Sequence, residues 1–516
     1  MSTHRTDSLT DTKPDTTAPS AGGAAAGAVD RAVDRAAGRA AGRRLRRESD
    51  GRPAAPVRIV HLGVGNFFRA HAAWYTEHAS DAAQWGFAAF TGRSPAIAES
   101  LAGQDGLYTL LVRGPGGARP EVISSLTAVH PADDLEALRG YFVDPAVAVV
   151  TITVTEAGYR RSSSGGLDVD ASDVSADIAA LQRDPRGRVS TTPGKLVAGL
   201  LARRAAGGGP IAVVPNDNVP DNGAMVARVV GDLAALVDVT LPDWIDAHVS
   251  WVTTMVDRIT PRSTADDRAE VLSQTGIDDP ETVPTEPFSE WVLAGTFPAG
   301  RPDWESAGAT VVDDVRPFET RKLWLLNGSH SLVAYAGSIL GHETVADAIA
   351  DPLVRSWVEE WWDAAAPHVD LPAVDVSAYR QALLDRYRNP QIRHLLAQIA
   401  ADGSQKVPIR ALPVIRAELA QGRVAPGATR IVAAWVAHLR GLGAPVTDTA
   451  AEQVRALAQG EPEAAVRSVL GWLGLEDGAL ERVLPVVLVQ LAQLTGLTGL
   501  GGSSAAATPP AVGSRG

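Results

Sequence analysis

The sequence predicts an α/β protein: a doubly wound parallel sheet in the N-terminal part, followed by a mostly α-helical C-terminal domain. Three observations carry that expectation. Short β-branched runs, each ending in a polar or Gly-rich turn, alternate with helical stretches up to about residue 310. Beyond about residue 313 the apolar spacing becomes helical. The chain has 516 residues, 45% hydrophobic and 21% charged, which suffices for two domains with a core each.

Taken in order, residues 1–55 are rich in Ala, Gly, Thr, Asp and Arg and read as a disordered low-complexity extension. Within it Arg31, Arg35, Arg39 and Arg43 recur every fourth residue, which would also line one basic face of a helix. Asp7, Asp11, Asp15, Asp30 and Asp34 count against an organelle-targeting role. A sheet domain is expected over 56–312, with buried strands at Val57–Leu62, Val147–Val154 and Ile211–Val214. A helical domain is expected over 313–497, with helices at Leu323–Ile339, Val354–Ala365, Tyr379–Ala400 and Val454–Leu473. The Gly, Ser, Ala and Pro of 498–516 read as a disordered tail. The site is expected between the two domains.

Composition removes several classes of function. A net charge of −13 with no strongly basic internal segment argues against nucleic acid as a partner. With no cysteine there are no disulfides, no thiolate-ligated metals and no cysteine nucleophile. No run of 18 apolar residues and no secretory pattern occur, so a cytoplasmic protein without a membrane partner is expected. Only four of the 47 basic side chains are lysines: Lys13, Lys195, Lys322 and Lys406. A chain that otherwise uses arginine keeps lysine either by chance or where a proton must be lost near neutral pH.

The first strand runs into Gly63-Val64-Gly65-Asn66-Phe67-Phe68-Arg69. Strand, Gly-x-Gly and helix is how a Rossmann-like fold brings a pyrophosphate onto a helix N-terminus, so Gly63, Gly65, Asn66, Phe67 and Arg69 are candidate cofactor contacts. Phe68 replaces the third glycine of the usual fingerprint, and a ligand-free βα turn can have the same form. The second strand ends at Phe90-Thr91-Gly92-Arg93, where an acid would bind the ribose of NAD and an arginine the extra phosphate of NADP. Arg93 is present without an adjacent acid, which tilts toward NADP and leaves NAD open.

The chemical end is Glu319-Thr320-Arg321-Lys322 through Asn327-Gly328-Ser329-His330. As an α-helix at about 100° per residue, Lys322, Glu319, His330 and Asn327 fall near 0°, 60°, 80° and 140° on one broad face. Such a face is either a site or a polar domain interface with satisfied hydrogen bonds.

Together with Thr155–Tyr159, Asp217–Gly223, Val256–Pro261 and Asp402–Lys406, these stretches resemble the mannitol dehydrogenase and fructuronate reductase family of long-chain polyol dehydrogenases, in the family's order over about 350 residues. The resemblance implies an NAD- or NADP-dependent oxidoreductase acting on a small polyol or ketose, without a metal, and a monomer. It implies Lys322 as general base, with Asn218 and Asn327 holding the substrate oxygen and His330 orienting the substrate. Asp257 would belong to the same polar shell, Glu156 and Glu319 to a proton path, and Lys406 to the substrate contacts. Some relatives carry an arginine eight residues before that lysine; here Gln398 stands there, and the surrounding run reads closer to the fructuronate reductase branch.

Independent chemistry agrees with a lysine base. An unperturbed ammonium has a pKa near 10.4, burial lowers it, and arginine stays protonated. No lysine has a tyrosine four residues before it, which removes the short-chain dehydrogenase pattern. Mannitol 1-phosphate is an alternative substrate, and a nicotinamide-binding sensor without turnover is the alternative from another class.

Overall fold

A computed structural model describes residues 42–92 and 95–501, without the side chains of 497–501. Six strands, Val57–Leu62, Gly86–Phe90, Leu126–His130, Val149–Ile152, Ile211–Pro215 and Val249–Trp251, form one all-parallel sheet. Numbered by sequence within this sheet, they lie in the order 3-2-1-4-5-6. That is the doubly wound dinucleotide-binding arrangement, whose ligand crevice opens at the carboxyl ends of the first and fourth strands, where the winding reverses.

The strands are near-continuous β-branched runs because both faces are covered. Val60, Leu62, Val150, Ile152 and Val213 pack one way, with Leu138, Val197 and Val229 from helices on that face. Ile59, Val149 and Val214 pack the other way with Phe68, Trp291 and Trp304. A short strand, Thr253–Asp257, continues from the sixth strand and pairs antiparallel with Glu290–Ala294. It carries the chain to the domain boundary.

From Arg316 onward every described element is helical. A third core, from Leu325 to Leu494, belongs wholly to this region. The helix Asp477–Gly501 is long and apolar enough in its Asp477–Gly496 part to cross a membrane by length and composition. Its Val483, Val487, Leu491 and Leu494 are instead buried in this core.

Several expectations meet a different structure. The extension assigned to 1–55 is ordered from residue 42: Leu45 is buried with Leu107 and Ile277, and Arg47 donates to the carbonyls of Ser124 and Leu126. Arg31, Arg35 and Arg39 lie outside the described residues. Arg43 is not helical; it bridges to Ile277 and pairs with Asp50. At the other end the last helix runs to Gly501, and 502–516 lie outside the described residues. The helix expected over Tyr379–Ala400 is two, Ala373–Tyr387 and Leu396–Ala400, because Pro390 disfavours helix at Asn389 and lacks a donor. Val454–Leu473 likewise divides into Ala451–Leu457 and Pro462–Trp472, around Gly460 at φ +82° and Pro462.

The most consequential difference is at Lys322–Gly328, which winds as a π-helix rather than an α-helix. A second π-turn covers Val333–Gly337. Side chains satisfy the displaced carbonyls. Trp361 and Trp362 donate their indole N–H groups to the carbonyls of Trp324 and Leu325, both at 2.8 Å. Tyr387 and Ser329 donate to Leu326 at 3.2 and 3.1 Å. The i→i+5 bonding brings residues five apart nearly above one another, whereas an α-helix would set them about 140° apart. Lys322 and Asn327 are five apart.

Candidate active site

The Gly-rich turn sits at the carboxyl end of the first strand. Gly63 has φ +105°, and a Cβ there would lie 1.9 Å from the Thr153 carbonyl of the fourth strand's extension. Only glycine fits. Gly65 differs: a Cβ would meet nothing nearer than 3.9 Å, so the fold itself does not demand glycine. What Gly65 leaves is open space in front of the turn. Phe68, in the third-glycine position, is buried and stacks on His61 at 3.4 Å between ring centroids. His61 in turn contacts Thr151 Oγ1 at 2.8 Å and the Gly63 carbonyl at 3.1 Å, bracing the turn from below.

Asn66 and Arg69 brace it from the side. Asn66 donates to the Pro261 carbonyl and Ser263 Oγ, while the buried Arg69 pairs with Glu281 at 3.0 Å and donates to Asn66 Oδ1. Their polar groups hold the turn to neighbouring loops. Arg93 lies outside the described residues.

Phe67 faces a cavity of about 330 Å³ that it shares with Thr153, Asn216, Asn218, Asp257 and Lys322. Asn216 is 1% exposed, yet neither amide atom has a partner, and Thr153 Oγ1 is also buried and unpartnered. Buried polar groups without partners are costly, so this wall is prepared for a ligand with donors and acceptors of its own. Asn216, Thr153 and Asp217 were not singled out from the sequence as site residues. The available signal was the polar run Asn216-Asp217-Asn218 directly after an apolar strand, where a doubly wound sheet places its ligands.

Lys322 stands where this cavity meets a larger one of about 600 Å³ lined also by Glu156, Glu319, Asn327, Lys406 and Arg410. Its Nζ donates to Asn218 Oδ1 at 2.6 Å and to the Val256 carbonyl at 2.7 Å, both from the sheet domain. A neutral amine has two N–H groups and one lone pair; these two acceptors take both donors. The third position of the nitrogen is unengaged. Burial pushes the Lys322 ammonium below its ordinary range, against the opposing field of Asp257 and with help from Arg386.

Asp257 is not a free acid. Arg386 grips it in a fork at 2.7 and 3.0 Å and grips Glu286 at 2.8 and 3.0 Å, while Tyr379 donates to Asp257 at 3.3 Å. Burial alone would raise the Asp257 carboxyl, but the Arg386 charge holds it low. Since Asp257 and Glu286 belong to the sheet domain and Arg386 and Tyr379 to the helical one, the cluster ties the domains together beside Lys322.

The other expected residues divide among the cavities. Glu156 is exposed at the rim, and Glu319 accepts from the Asp221 amide at 3.2 Å, its carboxyl raised by burial. Asn327, with Lys406 and Arg410, also lines a smaller cavity of about 260 Å³ containing His330, His394 and Gln398. Hence Glu319, Lys322 and Asn327 share one cavity, and His330 lies in the adjoining one. Lys406 donates to the carbonyls of Ile399 and Ala401 at 3.1 and 2.5 Å. Behind Asn218, Asp217 accepts from Tyr159 and from the Val154 amide, and burial lifts its carboxyl to about 7.

Comparison with known proteins covers both domains. The family model described as the mannitol dehydrogenase Rossmann domain matches residues 57–306, and that of the mannitol dehydrogenase C-terminal domain matches 314–481. D-mannonate oxidoreductase of Escherichia coli is 38% identical over 395 residues, 75% of this chain and 80% of that protein. D-arabinitol 4-dehydrogenase of Ralstonia nicotianae is 38% identical over 390 residues, 74% of this chain and 82% of that protein. Among solved structures, the ternary complex of Pseudomonas fluorescens mannitol 2-dehydrogenase with NAD and D-mannitol superposes with a TM-score of 0.68 at 33% identity, covering 87% of this chain and 95% of that one.

Proposed function

The chain belongs to the mannitol dehydrogenase family, and on that premise we propose that it transfers a hydride between NAD(P) and a sugar alcohol–ketose pair, mannitol/fructose or mannonate/fructuronate, with Lys322 as general base. The observation that carries the reading is the suspension of Lys322 Nζ between Asn218 Oδ1 and the Val256 carbonyl, its third position unengaged at the junction of two cavities.

The cofactor wall fits the group. Space before Gly65 suits a pyrophosphate, and the unpartnered Asn216 amide and Thr153 hydroxyl suit the carboxamide of a nicotinamide. When bound, the nicotinamide supplies the hydride acceptor for oxidation and the donor for reduction. The rest is done by side chains. Neutral Lys322 takes the proton of the substrate hydroxyl and keeps its two N–H donations throughout, so little reorganises. With Asn218 Oδ1 accepting from Lys322, its Nδ2 is left to donate to the substrate oxygen; Asn327, brought round by the π-turn, offers a second donor. Each such donor, aimed at a developing alkoxide, contributes about 3 kcal/mol. Glu319 and Glu156 at the rim pass the lysine's proton to solvent, and the raised Glu319 carboxyl is suited to accepting it.

The test is a panel of mannitol, arabinitol, fructose, fructuronate and mannitol 1-phosphate, each with NAD and NADP in the matching redox state, followed by nicotinamide absorbance. Turnover of at least one polyol or ketose pair is expected. Cofactor binding with no turnover on any pair would favour a sensor instead.

A further inference from the structure

The cavity beyond Asn327 has a character the hydride-transfer reading does not use. Its polar lining is Asn327, His330, His394, Gln398, Lys406 and Arg410, and no carboxylate is among them. Two cations face it together from one helix, Gly403–Arg410, where Lys406 and Arg410 are one turn apart. Burial depresses both, and the Arg410 charge depresses Lys406 further.

Arg410 differs from most of the deeply placed arginines; Arg139 resembles it in having no carboxylate partner, one bonded nitrogen and a buried, unpartnered Nε. Arg69, Arg321 and Arg386 each pair with a carboxylate. Arg203 and Arg258 have no such partner but direct several N–H groups at backbone carbonyls. Arg410 bonds through one nitrogen only, to the Asn327 carbonyl at 3.1 Å and Ser331 Oγ at 3.0 Å, and its buried Nε has no partner. His330, 8% exposed, has an Nε2 that is likewise buried and unpartnered in the same cavity. Lys406 has one N–H beyond the two given to carbonyls. Two nearby acids, Asp402 and Asp448, favour the Lys406 ammonium; neither lines the cavity, and Asp448 is occupied by Ser404 and the Ala450 amide. A guanidinium and an ammonium facing a cavity lined by no carboxylate, beside a neutral imidazole nitrogen without a partner, are expensive to keep unless an anion arrives.

We propose that this cavity binds a carboxylate at the far end of the substrate, so that the preferred pair is a six-carbon aldonate and its keto-uronate rather than a neutral polyol and ketose. The inference rests on the hydride-transfer reading and narrows it. The anion must be part of the reacting molecule, because the cavity shares Asn327, Lys406 and Arg410 with the cavity of Lys322. A carboxylate matches the supply of donors: one guanidinium edge, one ammonium N–H and one imidazole. A phosphate monoester would call on helix amides as well, and those are committed, Ser404 N–H to Asp448 and the Gln405 and Lys406 N–H groups to the Asp402 carbonyl.

The experiment compares kcat/KM for mannonate, mannitol and mannitol 1-phosphate, in wild type, Arg410→Gln and Arg410→Lys, with calorimetric binding of mannonate to the cofactor-loaded protein. Mannonate should be the best substrate. Arg410→Gln should lower its kcat/KM relative to mannitol on the order of 10²-fold, mostly through KM, since a buried charge-assisted contact is lost. Arg410→Lys, which keeps the charge and the fold, should recover part of that. A preference for mannitol or for the phosphate ester, or an unchanged ratio in Arg410→Gln, overturns the proposal. Absence of all turnover with Arg410-dependent mannonate binding would sink the hydride-transfer reading and keep the anion site; absence of both would overturn the two together.

Discussion

Replacing Lys322 tests the chemistry at its centre. General-base transfer by a positioned side chain contributes about 10²–10⁴-fold, or about 3–5.5 kcal/mol of barrier. Lys322→Ala removes that term and both hydrogen bonds of Nζ, so alcohol oxidation near neutral pH should fall by at least about 10²-fold. Cofactor affinity should change little, because Phe67, Thr153 and Asn216 remain. Lys322→Arg separates proton transfer from hydrogen bonding: the guanidinium can donate to Asn218 and Val256 but gives up no proton, so it should be as inactive in oxidation as alanine. The pH profile adds the sign. Oxidation needs the neutral amine and should rise with pH through the lysine's pKa, which burial places below the ordinary 10.5. Reduction needs the ammonium and should fall through the same value. Steady-state rates from pH 6 to 10, with cofactor binding by fluorescence, decide the matter. Either variant within tenfold of wild type, or a wild-type oxidation rate flat across that range, would refute the mechanism.

Three further outcomes are expected. Asp257→Asn removes a charge that favours the Lys322 ammonium, so both pH limbs should move to lower pH; it also leaves buried Arg386 half-neutralised, and chemical denaturation should show a loss of about 3–5 kcal/mol. Gly65→Val should fold, since no atom lies near its Cβ, yet weaken cofactor binding at least about tenfold by titration, whereas Gly63→Ala should give little folded protein because of the 1.9 Å contact with Thr153. Asp217 has its carboxyl raised to about 7 from 3.8. Below 3.8 both states are protonated; as pH rises toward 7 the unfolded chain ionises while the folded chain holds its proton, so stability falls across that window. Asp217→Asn should therefore gain on wild type between pH 4 and 7, by up to about 4 kcal/mol, and the gap should be flat above. A pH-independent gap would mean that Asp217 is ionised in the folded protein.

The sheet was legible because its strands are buried on both faces and read as unbroken apolar runs; Val57–Leu62 lies where the sequence places it. Helix identity was legible too, but not continuity, since Pro390 and Gly460 interrupt stretches whose periodicity runs through them. The candidate residues were legible as types, and Lys322 stood out through the scarcity of lysine. Their arrangement was not. Periodicity at 100° per residue assumes α-winding, and nothing local in Lys322–Gly328 announces a π-turn that depends on Trp361, Trp362 and Tyr387 arriving from distant helices. Arg410 was missed for a similar reason: its significance is the lack of a carboxylate partner, which only the packed structure reveals, although its place four residues after Lys406 put it on the same helix face.

That dependence on distant partners also explains why the proposed base belongs to neither domain alone. Lys322 is carried by the helical domain, but both groups that hold its nitrogen, Asn218 and Val256, come from the sheet domain. Undocked, the amine would be solvated and protonated, with an ordinary pKa and no fixed direction. Docking supplies desolvation and orientation together, and the Arg386 grip on Asp257 and Glu286 fastens the docked state a few residues away. The same Asp257 keeps Lys322 from losing its proton too readily, which matters for reduction, where the lysine must return that proton. The contact between the domains and the field that modifies the buried Lys322 therefore share one cluster. A variant that loosens the clamp should alter the pH profile as well as the stability, whereas a core variant far from it should alter stability alone.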